Sequence, residues 1–399
     1  MNRESRVVCI VGAGPAGLVL GHLLARAQVP YMILERLEAD GLRARTKAGL
    51  IEQHTVELLE PYGLADPIIE RGTRNGVCEF RADGEAFVLD YGALTDSPGH
   101  FIYPQHELVA DWAEQLLSAG GEIRFGTRAV AAAQDENGAL VSAVVEASGE
   151  QLAISCEAVA VCDGGGSELA GIATIESLDV SHPFRWLAVI ASAPPATPRT
   201  VYGLHPRGFA GQMRRSAELT RYMLEIPAND GLDEWPDARI WAELQDRLAV
   251  ADRPSLQQGE LIERDVLDLR VRVREPMQAG RVFLAGDAAH LITPAGGKGM
   301  NLAIQDAVEL ASGLCELYGA AGAGERLARY SETRLPVVWR YQEFSNLMLL
   351  GLMHAGRDGD ARFAYRLRRA TLERVIDDPQ FSRWFAHAYA GSAQAHAGS

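Results

Sequence analysis

The sequence predicts an α/β fold: a parallel-sheet domain, split by an inserted antiparallel sheet and followed by a helical C-terminal region. Three segments predict it. Val7–Gly17 (VVCIVGAGPAG) is an apolar run leading straight into Gly12-x-Gly14-x-x-Gly17. Ala158–Gly164 (AVAVCDG) is an apolar run ending in Asp-Gly, and Arg281–Asp287 (RVFLAGD) is one ending in Gly-Asp. Short continuous apolar runs suit strands buried on both faces of a parallel sheet, whose C-terminal ends carry the turns.

The elements follow in chain order. The first run is a strand. Gly12 makes the tight turn, Gly14 and Ala16 border the space where a pyrophosphate would come close, and Gly17 lets helix and strand pack together. The helix over Leu18–Ala27 offers free N–H groups and a positive dipole end to phosphates. A second strand ends on Glu35, 23 residues after Gly12, near the spacing of an acid that accepts from ribose hydroxyls. This context on both sides of the turn makes the unit a Rossmann-like dinucleotide site. A helix follows near Ile51–Tyr62. Residues 76–100 alternate like strands, Pro104–Ala119 reads as a helix, and Glu122–Ser155 reads as strands around an Asn137-Gly138 turn. Asp163 closes the first portion. Residues 180–270 hold alternating segments such as RWLAVIAS and TRYMLEIP between Pro- and Gly-rich turns, an antiparallel sheet. From residue 325 the pattern is helical to about Ala390. The expected divisions are 1–175, first part of the nucleotide domain; 176–275, substrate-binding sheet; 276–320, second part of the nucleotide domain; 321–390, helical region; and 391–399, a flexible tail.

Composition narrows the function. The 399 residues are too many for one small core. A net charge of −15 argues against nucleic acid as a partner. The five cysteines (Cys9, Cys78, Cys156, Cys162, Cys315) are unclustered, so no metal site is expected and a reducing cytoplasm is the default location. The N-terminus lacks a signal-peptide layout, and the longest apolar run, Leu347–Met353, is far below a membrane span.

The nucleotide could be NAD or FAD, and the third segment decides for FAD. An acid at the end of a buried strand far from the first unit, Asp287, can hold a ribityl chain. The loop Pro294–Gly299 (PAGGKG) is permissive enough to approach a ring, and a helix from about Met300 aims its N-terminus where reduced flavin carries negative charge. GxGxxG, Asp-Gly and Gly-Asp in this order resemble the fingerprints of the class A flavoprotein aromatic monooxygenases. Four longer blocks, Leu34–Gln53, Tyr103–Leu108, His205–Ala210 and Leu284–Ala303, resemble the 4-hydroxybenzoate 3-monooxygenase branch of that family over nearly the whole chain.

The resemblance implies an enzyme that uses NAD(P)H and O₂ to hydroxylate a small phenolic or carboxylated aromatic molecule through a flavin hydroperoxide. It implies a proton relay of two tyrosines, Tyr202 in VYGLHPRGFA and Tyr389 in AHAYAGS, with Pro294 walling the substrate against the flavin. The family histidine that ends the relay falls on Arg74, which cannot act as a base at ordinary pH. In Gln212–Leu224 (QMRRSAELTRYML) the family's carboxylate-binding arginine falls on Arg215, while its serine and tyrosine neighbours fall on Met213 and Met223. The pocket thereby loses two hydrogen-bond donors and gains soft apolar volume. For FAD, the resemblance carries over Gly12, Gly14, Gly17, Glu35, Arg36, Arg45, Lys47, Gln105, Asp163, Asp287, Gly299, Met300 and Asn301. Ala16 stands where a phosphate-binding serine is common. His290 reads as structural.

There is no second GxGxxG, so the nicotinamide coenzyme, NADH or NADPH, is a transient co-substrate. Glu38 and Asp40 oppose a phosphate on its adenosine ribose, which favours NADH or use of both. A homodimer stays open as the assembly. Three alternatives stand beside hydroxylation. Decarboxylative hydroxylation of an aromatic or tropone-type acid would use the same oxygenating species. A flavin halogenase or a dehydrogenase of related fold is the second, and a halogenase would want Trp-x-Trp spacing, which the six tryptophans lack. A flavin-binding protein without turnover would explain the missing histidine.

Overall fold

The computed structural model describes residues 2–43, 49–95, 97–167, 169, 175–319, 322–354, 356 and 361–391. Arg45 and Lys47, and the tail beyond Gly391, lie outside the described residues.

The three motif-bearing strands are neighbours. A six-stranded sheet runs in the order Gln278–Ala279, Val282–Leu284, Ala158–Val161, Val8–Val11, Tyr31–Leu34, Ile123–Arg124. All pairings but the first are parallel, with Val161 aligned to both Val11 and Leu284, and Val11 to Leu34. Parallel alignment puts Gly12, Glu35, Asp163 and Asp287, distant in sequence, at one end of the sheet. That end, outside the strand C-termini, is where open α/β sheets bind ligands. The strand interiors are buried throughout, as their unbroken apolar runs require.

Two glycines fix the first turn. Gly12 has φ +102°, and a Cβ there would sit 2.5 Å from the Cys162 carbonyl oxygen. A Cβ on Gly17 would sit 1.9 Å from the Gly12 carbonyl oxygen, so the helix Pro15–Arg26 reaches the turn only because Gly17 has no side chain. The helix starts with Pro15 in its first turn, where no N–H is needed.

The second sheet has eight strands, in the order His290–Leu291, Glu260–Glu275, Glu176–Ser192, Thr220–Pro227, Ala210–Arg214, Thr200–Gly203, Val77–Ala82, Glu85–Asp90. Residues 176–275 do not build it alone. The hairpin Val77–Asp90 joins its edge, and Val77–Ala82 runs parallel to Thr200–Gly203. The hairpin brings an apolar side to the sheet: Cys78, Phe80 and Ala82 join the cluster that contains Tyr202 and Trp186.

The two faces of this sheet bury different partners. Leu187, Val189, Tyr222 and Leu224 pack under the helix Asp237–Arg247. On the opposite face Trp186, Ala188, Tyr202 and Met223 meet Phe344, Met348, Phe385 and Tyr389 from the C-terminal helices. Those helices are Tyr330–Asn346, which continues as a π-helical turn over Leu347–Met353, then Ala361–Asp377 and Pro379–Ala390. Asp378 caps the last by accepting from the N–H groups of Gln380 and Phe381. No helix among the described residues is long and apolar enough to cross a membrane.

Candidate active site

A cavity of about 810 Å³ opens between the strand ends of the parallel sheet and the second sheet. Gly12, Gly14, Ala16, Glu35, Arg36, Gln105, Asp163, Asp287, Gly299 and Met300 line it. The residues expected around FAD from three distant segments are thus brought together. The glycine turn supplies a cradle that a side chain would fill, and the Gly299–Tyr318 helix begins at the cavity wall. The cavity therefore fits an extended dinucleotide with its phosphates at the first turn. Glu35 holds the turn in place: its carboxylate accepts from the Ala13 N–H at 2.7 Å and the Leu37 N–H at 2.9 Å. Burial pushes the Asp163 carboxyl up from its ordinary value.

Two expected residues act from behind the wall. Gly17 serves packing, as described. Asn301 turns its side chain to the main chain of two segments, the permissive loop and residues 50–52: its oxygen accepts from the Glu52 N–H, and its amide donates to the Leu50 and Gly297 carbonyls. Of the basic groups near the expected adenosine end, Arg36 lines the cavity and Arg43 is tied to Glu107 at 2.6 Å.

Pro294 and Met223 line the same cavity. Strand register explains what lies beside them. Phe80, Tyr202, Gly211, Met223, Ala188 and Asp265 are successive partners across the sheet, and Met213, Arg221, Ile190 and Glu263 form the next such row. Tyr202 and Tyr389 are both buried, and their hydroxyls are 2.8 Å apart. Burial raises both phenols well above their ordinary value, so both are neutral O–H groups able to donate and accept. Met213 packs against this apolar cluster and is not among the residues lining the cavity.

Arg215 differs from expectation. It follows the Ala210–Arg214 strand at the hairpin end, and its side chain lines a second, smaller pocket with Arg74, Arg199 and Arg214. Burial and the neighbouring Arg221 bring its guanidinium down to about 10. Arg221, from the adjacent strand, lines the large cavity, and its Nε is buried without a hydrogen-bond partner. Arg74 donates to the Gln53 side chain at 3.0 Å and lies over the Phe101 ring at 3.9 Å.

Several polar groups went unremarked in the sequence. Lys298 and Glu52 form a buried ion pair at 2.7 Å, and Lys298 also donates to the Tyr389 carbonyl at 2.6 Å. Burial lowers the lysine against the opposing pull of Glu52. Lys298 thus ties the permissive loop to both Glu52 and Tyr389; a lysine inside a run of glycines, PAGGKG, was the available signal. His100 is fully buried, bonded through Nδ1 to the Tyr91 hydroxyl at 3.0 Å, and packs edge-on against Tyr389. Burial and Lys298 hold its ring neutral, down to about 3. His290 is structural as expected: it pairs with Asp306, which also takes the Gly286 N–H and Arg334, and so supports the Gly-Asp turn.

The chain resembles known proteins over most of its length. Residues 5–345 match the family described as FAD binding domain. The chain is 34% identical over 394 residues to p-hydroxybenzoate hydroxylase of Acinetobacter baylyi, spanning 98% of this chain and 96% of the relative. It is 30% identical over 354 residues to aklavinone 12-hydroxylase RdmE of Streptomyces purpurascens, spanning 81% and 65%. Beyond the first relative, the chain spans about half to two thirds of the length of such curated relatives. Among solved structures it superposes on p-nitrophenol 4-monooxygenase PnpA of Pseudomonas putida with a TM-score of 0.82, at 22% identity, over 98% of this chain and 99% of that one.

Proposed function

The chain belongs to the FAD binding domain family and is a flavoprotein aromatic hydroxylase; on that premise we propose that it hydroxylates a phenolic aromatic acid held between Pro294 and the Tyr202–Tyr389 pair. The observation that carries this reading is the juxtaposition of a cavity able to take FAD with two hydrogen-bonded buried tyrosines, Tyr202 on the adjoining sheet and Tyr389 on the helix packed against it. The nearly full-length likeness to a hydroxylase named for p-hydroxybenzoate supports an aromatic acid as the substrate class.

FAD would be held by Glu35, Arg36, Gln105, Asp163 and Asp287, with the Gly12 turn and the Met300 end of the helix around it; Arg45 and Lys47 belong to the same proposal by resemblance. Bound FAD supplies the redox chemistry, accepting hydride from NADH or NADPH and activating O₂. In the net reaction one oxygen atom enters a ring C–H bond, the other leaves as water, and the coenzyme is oxidised.

The protein's own part is binding, exclusion of water and proton handling. A phenol attacks an electrophilic oxygen better as its O–H proton leaves. Neutral Tyr202 can accept from the substrate hydroxyl while passing its own proton to Tyr389, so the pair conducts a proton and does not store one. Pro294 carries no N–H, and with Met223 it gives the ring an apolar wall. Such a wall keeps competing water from the reacting atoms. Arg215 offers a planar fork to the acidic end of the substrate.

The test is a binding titration of aromatic acids against wild type and Arg215→Ala, with flavin absorbance as the signal. Removing the charged partner of a buried anion costs about 3–5 kcal/mol, so binding should weaken by about a hundredfold or more. Equal binding by the variant would make Arg215 structural.

A further inference from the structure

The second pocket bears on the substrate class. It has a volume of about 330 Å³ and is walled by Thr73–Val77, Ile102, Pro104, Pro198, Arg199 and the hairpin end Arg214–Arg215. Four of these residues are arginines and none is acidic, in a chain whose net charge is −15. Arg199 is shared with buried Glu79 at 3.1 Å. Arg74 is bonded to a neutral glutamine and Arg214 to the Ser216 carbonyl. Glu263 acts on the Arg215 guanidinium electrostatically but does not line the pocket. Like charges gathered in a concave, half-buried site raise each other's energy, and burial already lowers the Arg215 guanidinium. An anion with several oxygens would relieve this.

From these observations we infer that the substrate's acidic group stands on an arm, away from the ring, and that this arm reaches from the flavin cavity into the arginine pocket. The inference rests on the aromatic-acid reading above. The same two strands serve both places. Arg199 lies three residues before Tyr202 and Arg215 two residues after Met213. At about 3.3 Å per residue, Arg215 departs from the sheet about 7 Å beyond the Met213–Arg221 row. That row is itself two residues beyond the row of Tyr202 and Met223. A carboxylate directly on the ring would leave Arg74 and Arg214 idle, whereas an arylalkanoate would place its carboxylate among them. Met223, which lines the cavity, then walls the apolar arm. The other anion that could enter is a phosphate of the nicotinamide coenzyme. The pocket is disfavoured for it because its strands carry the substrate-facing tyrosine and methionine rows, while Glu38, Asp40 and Arg43 lie on another segment.

The experiment titrates the FAD-loaded enzyme with 4-hydroxybenzoate, 4-hydroxyphenylacetate, 3-(4-hydroxyphenyl)propionate and 4-(4-hydroxyphenyl)butyrate, in wild type and in the double variant Arg74→Gln/Arg214→Gln. Flavin content checks that the variant is folded. One of the longer acids should bind about tenfold or more tightly than 4-hydroxybenzoate, and the double variant should reduce that ratio by about tenfold, the worth of a charge-assisted contact. A wild type that prefers 4-hydroxybenzoate overturns the arm while leaving the aromatic-acid reading intact. An unchanged ratio in the variant overturns it as well. If no acid of any length perturbs the flavin, the aromatic-acid reading itself fails. Coenzyme reduction kinetics are the last arm: a variant that weakens only NADPH makes the pocket a coenzyme site and also overturns the inference.

Discussion

The two sheets meet at one cavity but build it in different ways. The parallel sheet contributes strand ends, where turns, main-chain N–H groups and the acids Glu35, Asp163 and Asp287 gather. The eight-stranded sheet contributes a face, where side chains in cross-strand rows, Arg221 and Met223 among them, line the cavity. Strand ends announce themselves in sequence because only glycine tolerates Gly12's φ of +102° and its contact with Cys162. A strand face announces itself only as alternation, which says that a residue points inward but not how far along the face it works.

Breaking the first region should have the largest effect. Asp287→Ala removes a cavity-lining acid from the Gly-Asp turn, and the purified variant should lose most of its FAD, measured by absorbance after denaturation. Normal flavin content would mean that the parallel sheet holds its cofactor without this acid. Next comes the join between the regions. Lys298→Met leaves Glu52 buried without its cationic partner, with the Tyr341 hydroxyl still donating to its carboxylate, which should destabilise the fold by about 3–5 kcal/mol, read from denaturant unfolding, with Lys298→Met/Glu52→Gln recovering much of the loss. No recovery would place the role of Lys298 in its bond to the Tyr389 carbonyl rather than in the ion pair.

The face should yield smaller, graded changes. Met213→Ser with Met223→Tyr restores two donors beside the ring and should shift preference toward 4-hydroxybenzoate by about tenfold, the worth of one or two neutral hydrogen bonds. Competitive binding of two acids reads the shift. Preference that stays fixed would show that the methionines pack the core without facing the ligand, as the absence of Met213 from the cavity wall allows.

The contrast also explains what could be read in advance. The order of motifs, the strand-end positions of Glu35, Asp163 and Asp287, the helix after Gly299 and the pairing of Tyr202 with Tyr389 were legible, the last only through resemblance. The hairpin Val77–Asp90 was readable as strands, but its place on the second sheet depends on a parallel pairing with Thr200–Gly203 more than a hundred residues away. Arg215 was singled out through resemblance as the carboxylate-binding arginine, whereas its pocket is formed with Arg74 and Arg199 from other elements. Asn301 was readable as important, but its bonds to the Glu52 N–H and the Leu50 carbonyl are long-range and have no local signature. The Glu52–Lys298 pair spans 246 residues, and His100 beside Tyr389 likewise depends on a tertiary contact.

The most direct measurement is stopped-flow reduction of the FAD-loaded protein by NADH and NADPH, with and without an aromatic acid, followed by mass analysis of the products under O₂. The account predicts that an aromatic acid accelerates flavin reduction, that NADH serves at least as well as NADPH, and that the product gains one oxygen atom without losing its carboxylate. Reduction at the same rate without the acid, with no oxygenated product, would contradict it and leave a reductase or a flavin-binding protein in its place.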